Sequence, residues 1–162
     1  MNSMSAPLKI PKMQKTEYDA LIRDNVVSRI AFSGKDYPYI APFLYVFDEK
    51  HIYFLSTRYG KKMELFTQNP AVSVEIENVA PDMSVYKFVT LQGKLSEVTD
   101  EDTQRAIKTR FVSLIEDKKI SPNSLYALGH SPLEAPENII NEERTMVWKL
   151  VNVHNIVALK NA

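Results

Sequence analysis

Six strand-like runs, mostly joined by connections too short for a crossover helix, limit what this chain can fold into. The runs are rich in β-branched and aromatic residues and lie at 26–33, 39–47, 51–56, 71–77, 84–98 and 146–160. Short turns at 34–36 and 48–50 join the early runs, which makes neighbouring strands antiparallel, because a parallel pair needs a connection of a dozen residues or more. We therefore predict a mostly β (α+β) fold built on an antiparallel barrel.

The segments between the strands predict three helices and one region without a clear pattern. Helix-like runs lie at 16–22, 61–68 and 101–117. The run 39–47 is nearly continuous in apolar residues, so we expect it to be buried on both faces. Gly93 lies inside a long strand and predicts a bulge or bend. Residues 118–145 contain three prolines and have no periodicity, which leaves a lid, an Ω-loop or a dimer-contact segment open.

The composition is that of one globular domain without a strong overall charge. The chain has 20 Lys+Arg and 20 Asp+Glu among 162 residues, and a balanced chain has no long-range field that gathers nucleic acid or an anionic membrane. No apolar run approaches the roughly 18 residues that cross a bilayer, and cysteine is absent. We expect a cytoplasmic protein with a flexible N-terminal tail over 1–12 and a single domain over 13–162.

The stretch 56–62, between a strand-like and a helix-like run, collects hydroxyl, glycine and basic residues. It reads Ser-Thr-Arg-Tyr-Gly-Lys-Lys, and a helix start offers the free N–H groups and positive dipole end that suit a phosphate. The same residues are also common in an ordinary helix cap and a solvated helix face. The stretch is not a P-loop, because Lys61 is followed by Lys62 and Met63. We therefore predict a local anion site and exclude an NTPase.

No other group of residues has the spacing of a catalytic or metal site. His51, His130 and His154 are far apart and lack His-x-x-x-His or Glu-x-x-His spacing, although a lone haem-binding histidine stays open. Glu75 and Glu77 share one face of a strand, where alternating acids usually form its solvated side. We therefore assign no catalytic acid or base and no metal ligand.

Four segments in order carry a resemblance to a known family. They are 37–48, 52–56, 60–62 and 69–73, and the most specific part is Gly-Lys-Lys paired with Asn-Pro-Ala-Val across one short helix. The chain resembles the pyridoxamine 5'-phosphate oxidase-like FMN-binding split barrels from about residue 16 to residue 100. The resemblance implies a six-stranded antiparallel split β-barrel with flanking helices, formed by residues 13–162.

The resemblance also implies FMN as the cofactor, bound at a homodimer interface. In proteins of that family, the backbone of the strand matched by 41–46 runs along the flavin ring. Residues at the end of the next strand come next in the site, and two basic residues bind the phosphate. The implied cofactor-binding residues are Ala41, Pro42, Phe43, Leu44, Tyr45, Val46, Leu55, Ser56, Lys61 and Lys62. A flat apolar slot suits a flavin ring, and two ammonium groups suit a phosphate dianion. Within 56–62, Thr57 and Arg58 become weaker candidates for the site than Ser56, Lys61 and Lys62.

Three departures from the family pattern disfavour oxidation of vitamin B6 phosphates. Val46 stands where the true oxidases place a lysine, and Phe88 stands where many members carry a flavin-contacting glutamine. The Arg-x-His-x-x-Arg substrate signature is absent from the final strand, where 153–160 reads Val-His-Asn-Ile-Val-Ala-Leu-Lys. The flavin-reductase or nitroimidazole-reductase-like branch of the family fits the sequence better.

Two functions in different classes follow from this resemblance. The first is an FMN-dependent oxidoreductase that passes reducing equivalents from a nicotinamide or similar small-molecule donor to a small acceptor. The second is a non-enzymatic module that holds flavin, haem or a deazaflavin on the same fold. A barrel that has lost its cofactor and acts as an interaction protein is a third possibility. We expect no nucleic-acid or membrane partner.

Overall fold

The computed structural model describes residues 6–117 and 120–161 and contains an antiparallel β-barrel with helices on its outside. The strands are β1 (Val27–Phe32), β2 (Tyr39–Phe47), β3 (Ile52–Thr57), β4 (Ala71–Val79), β5 (Tyr86–Glu97) and β6 (Thr145–Lys160), and they close in the order β1-β2-β3-β6-β5-β4. The helices are α1 (Lys15–Asp24), α2 (Lys61–Gln68), α3 (Glu101–Glu116) and two 3-10 helices, η1 (Pro122–Leu128) and η2 (Pro136–Asn141). The predicted fold is confirmed.

Alternate side chains of the strands point into the core, and β2 departs from the sequence prediction. In β1, Ser28, Ile30 and Phe32 are buried while their neighbours are more exposed. The expectation that β2 is buried on both faces is wrong for its first half, where Ile40 is 62% exposed. The reason is that α3 and its neighbours cover the outer face of β2 only near its end, at Val46.

The predicted irregularity at Gly93 is confirmed. The β5–β6 register shifts there, because Gln92 pairs with Asn155 whereas Lys94 pairs with Val151. A Cβ atom at Gly93 would lie 2.6 Å from the carbonyl oxygen of Val151, so the close approach of the two strands requires glycine.

Two apolar clusters lie on opposite sides of the barrel wall. The inner cluster fills the barrel and includes Phe43, Phe54 and Trp148. The outer cluster forms where α3, η1 and η2 pack against the outside of the wall, and it includes Phe111 and Leu125. Burying a large apolar side chain contributes about 1.5–3 kcal/mol. This energy explains why the region 118–145, which has no sequence periodicity, packs on the barrel. Residues 118–119 of that region lie outside the described residues.

The N-terminal region joins the barrel shortly before α1. Lys12 forms a bridge with Leu159, and the amide of Lys160 donates to the carbonyl of Pro11. Residues 1–5 of the predicted tail lie outside the described residues. Within the described ranges, no helix is long and apolar enough to cross a membrane.

Candidate functional site

A cavity opens where the end of β3 and the start of α2 meet η1 and α3. One wall comes from β2 and β3 and the other from α3 and η1, and both walls are mainly apolar. The lining residues are Pro42, Phe43, Leu44, Leu55, Ser56, Thr57, Lys62, Phe111, Ser124, Leu125, Ala127 and Leu128. Six of the ten residues that the sequence assigns to a cofactor are therefore brought together around one cavity.

The other four residues of the predicted site do not line this cavity. Ala41 and Tyr45 belong to the inner cluster, and the Tyr45 hydroxyl donates to the carbonyl of Ile22 at 2.6 Å. Burial raises the pKa of Tyr45 well above its usual value, so this phenol stays neutral. Val46 belongs to the outer cluster, and Lys61 is exposed at the start of α2.

The positive end of the cavity is formed by the first turn of α2. The helix follows Gly60, whose φ of +97° lies in the region that favours glycine and lets the chain turn from β3 into α2. Lys62 lies with its Nζ atom 4.7 Å from the centroid of the Phe43 ring. Neither Lys61 nor Lys62 has a carboxylate partner among the ion pairs of the described residues. Both ammonium groups are therefore available to an anion.

The remaining polar groups of 56–62 bind other parts of the chain. Arg58 donates to the carbonyl of Glu143 at 2.8 Å and to the carboxylate of Glu97 at 3.2 Å. The Ser56 hydroxyl donates to the carbonyl of Thr57, whose own hydroxyl donates to the carbonyl two residues further on. Arg58 and both hydroxyls thus stabilise the loop, which leaves the backbone N–H groups and the lysines to bind an anion.

The second wall of the cavity comes from residues to which the sequence analysis gave no site role. They are Phe111, Ser124, Leu125, Ala127 and Leu128. Phe111 lies in the predicted helix 101–117, but nothing in the sequence indicates that α3 packs beside the end of β3. The η1 residues lie in the part of the chain with the weakest pattern.

Contacts just after η1 hold its C-terminal end in place. His130 is buried, and its Nε2 atom lies 3.2 Å from the hydroxyl of Thr145 at the start of β6. Gly129 ends η1 with a φ of +80°, and a Cβ atom there would lie 3.3 Å from the hydroxyl oxygen of Tyr59. The Oγ atom of Ser124 is buried and has no hydrogen-bond partner among the described residues. A buried hydroxyl without a partner costs about 1–3 kcal/mol.

Comparisons with known proteins agree with this architecture. A family model described as pyridoxamine 5'-phosphate oxidase matches residues 14–138. An FAD-binding protein from Mesorhizobium loti is similar in structure with a TM-score of 0.69 and 19% identity, over 96% of this chain and 100% of that one. No curated protein sequence matches the chain.

Two further solved structures of similar fold are described by different functions. A proposed 5-nitroimidazole antibiotic resistance protein from Bacteroides thetaiotaomicron has a TM-score of 0.61 and 13% identity, and the match covers 98% of each chain. The haem storage protein HutZ from Vibrio cholerae has a TM-score of 0.64 and 12% identity over 90% of this chain and 94% of that one. At these identities the likeness establishes a shared fold and leaves the ligand to be argued from the site.

Proposed function

The chain belongs to the pyridoxamine 5'-phosphate oxidase family, and from that premise we propose that it is an FMN-dependent oxidoreductase. It would pass reducing equivalents from a nicotinamide or similar donor to a small acceptor. The observation that carries the proposal is the cavity itself, in which two apolar walls end at Lys62 and the start of α2, with Lys61 exposed beside it. We further propose that the protein is a homodimer with FMN at the interface.

The residues of the cavity fit the two chemically different ends of FMN. The isoalloxazine ring is flat and mostly apolar, which matches the walls from Phe43, Leu44 and Leu125. The phosphate is a dianion, which matches Lys62, with Lys61 beside it and the free N–H groups of the α2 start. The chemistry supplied by bound FMN is hydride acceptance from the donor and electron delivery to the acceptor. The protein residues bind the flavin, orient it and exclude water.

The site supports flavin more strongly than haem. The FAD-binding relative from Mesorhizobium loti favours a flavin, whereas HutZ favours haem as a second candidate. Haem proteins bind the iron through an axial side chain such as histidine. None of the three histidines, all of which lie in the described ranges, lines the cavity, and His130 already contacts Thr145. A haem module would therefore need a different site or a partner's ligand.

The proposal is tested by adding FMN to the purified protein and recording the absorbance spectrum before and after. The chain has one tryptophan, Trp148, whose ring centroid is 5.9 Å from that of Phe43 in the cavity wall. We expect bound FMN to quench Trp148 emission, because flavin absorbs where tryptophan emits. Failure of the protein to bind FMN, by either signal, would refute the proposal.

Anaerobic stopped-flow mixing with NADH or NADPH then separates an enzyme from a storage module. Rapid bleaching of the flavin absorbance by either donor is the expected result for an oxidoreductase. A bound flavin that neither nicotinamide nor another physiological donor reduces would favour the storage module. Sedimentation velocity tests the dimer, for which we expect a single species of twice the 18.5 kDa chain mass.

A further inference from the structure

We propose that Ser124 is a ligand-contacting residue that determines specificity, and that its hydroxyl donates a hydrogen bond to a carbonyl oxygen of the flavin ring. The proposal rests on the function proposed above. It assigns a binding role to η1, a segment for which the sequence resemblance gives no site residue.

The first argument is that Ser124 has an unused hydroxyl in a cavity where the other hydroxyls are used. Its backbone amide donates to the carbonyl of Ser121, but its buried Oγ atom has no partner in the described chain. In contrast, the hydroxyls of Ser56 and Thr57 donate to backbone carbonyls of their own loop. Buried polar groups are nearly always hydrogen-bonded, so an unpaired one lining a cavity points to a missing ligand atom.

The second argument is that Ser124 has a fixed position. The Ser121 side chain caps the start of η1 by accepting from the amide of Asn123. Beyond η1, the His130 contact with Thr145 ties the segment to the strand that pairs with the end of β3. The backbone that carries the hydroxyl is therefore held in place and loses little freedom on binding, so the hydrogen bond acts as a selective contact.

The third argument concerns which part of the ligand Ser124 can reach. The phosphate is matched by the cations at the start of α2, whereas Ser124 lies on η1 next to Leu125 and close to Leu128, on the apolar wall. The polar atoms that a flavin ring offers between apolar walls are its carbonyl oxygens and ring nitrogens, and a serine hydroxyl can donate to a carbonyl. A ring without hydrogen-bonding edges would leave Ser124 unpaired and would bind less well.

The test compares wild-type protein with Ser124→Ala in binding FMN, riboflavin and lumiflavin, which has neither the ribityl chain nor the phosphate. One neutral hydrogen bond corresponds to a loss of about three- to tenfold in affinity, and we expect it for all three ligands. We also expect Ser124→Ala to leave the melting temperature of the ligand-free protein unchanged or raised, because alanine removes a buried group without a partner. In infrared difference spectra, the flavin carbonyl stretch should move to higher frequency in the variant.

The control is Ser121→Ala, which removes the cap of η1 and keeps the cavity hydroxyl. It should lower the melting temperature and leave the carbonyl frequency as in the wild type. Equal affinities of wild type and Ser124→Ala, or a loss confined to FMN and riboflavin, would overturn the ring contact. An unshifted carbonyl band would overturn it as well. If the wild type binds none of the flavins, the proposed function has failed, and this inference falls with it.

Discussion

The most direct prediction concerns Lys62→Met, which removes one charge at the positive end of the cavity and keeps a long unbranched side chain on α2. Without a ligand, the Lys62 ammonium lies over the Phe43 ring at 4.7 Å from its centroid. To bind a phosphate, the ammonium must leave that ring or share its interaction with the anion. The effect of the substitution on the free energy of FMN binding is therefore the difference between the free energies of the phosphate contact and of the contact with the Phe43 ring.

The magnitude follows from typical values for each interaction. A charge-assisted hydrogen bond to phosphate contributes about 1.5–3 kcal/mol, and a cation–π contact at a partly exposed site contributes about 0.5–1 kcal/mol. The net contribution of Lys62 to FMN binding is then about 1–2 kcal/mol, which corresponds to a roughly five- to thirtyfold rise in the dissociation constant. Lys61 is exposed and does not line the cavity, so Lys61→Met should raise the dissociation constant for FMN only about two- to fourfold.

The assay is fluorescence titration with FMN and with riboflavin, which lacks the phosphate. Lys62→Met should weaken FMN binding and leave riboflavin binding nearly unchanged. Raising the salt concentration should reduce the difference between wild type and variant, because salt screens an exposed charge pair. Equal losses for both ligands would contradict the assignment of Lys62 to the phosphate, and unchanged FMN affinity would refute the site.

Three further predictions concern stability and are tested by chemical denaturation. Burial and the Glu77 charge raise the pKa of Glu75 to about 7. The protonated carboxyl therefore contributes stability at pH values below about 4.5, and this stability is lost as pH rises through 7. Glu75→Gln should therefore add about 1 kcal/mol to the free energy of unfolding at pH 8 and nothing at pH 4.5. Gly93→Ala should cost about 1–3 kcal/mol because its Cβ would meet the Val151 carbonyl, whereas Ser96→Ala on the same strand should cost little. Asp100→Ala should cost about 1 kcal/mol by removing the side-chain cap that accepts from the Thr103 amide of α3.

The elements that sequence predicts well are those whose own pattern decides their structure. The strand-like run 26–33 and the Gly-Lys-Lys start of α2 depend on local pattern, and both appear in the structure where the sequence places them. Arg58 could not be assigned in this way, because its partners at 97 and 143 are distant in sequence. The second wall of the cavity was missed for the same reason. The position of η1 depends on packing against α3 and β3. The sequence of 118–145 has no periodicity that would indicate this packing.

The departure at Val46 and the second wall of the cavity have the same physical origin. Val46 faces outward from β2 and is buried in the outer cluster with Phe111 and Leu125, two residues that also line the cavity. A lysine at this position would place its ammonium under α3, where burial without a partner is costly. The helices that pack on Val46 therefore disfavour, at this position, the lysine that the resemblance implies for true pyridoxamine phosphate oxidases.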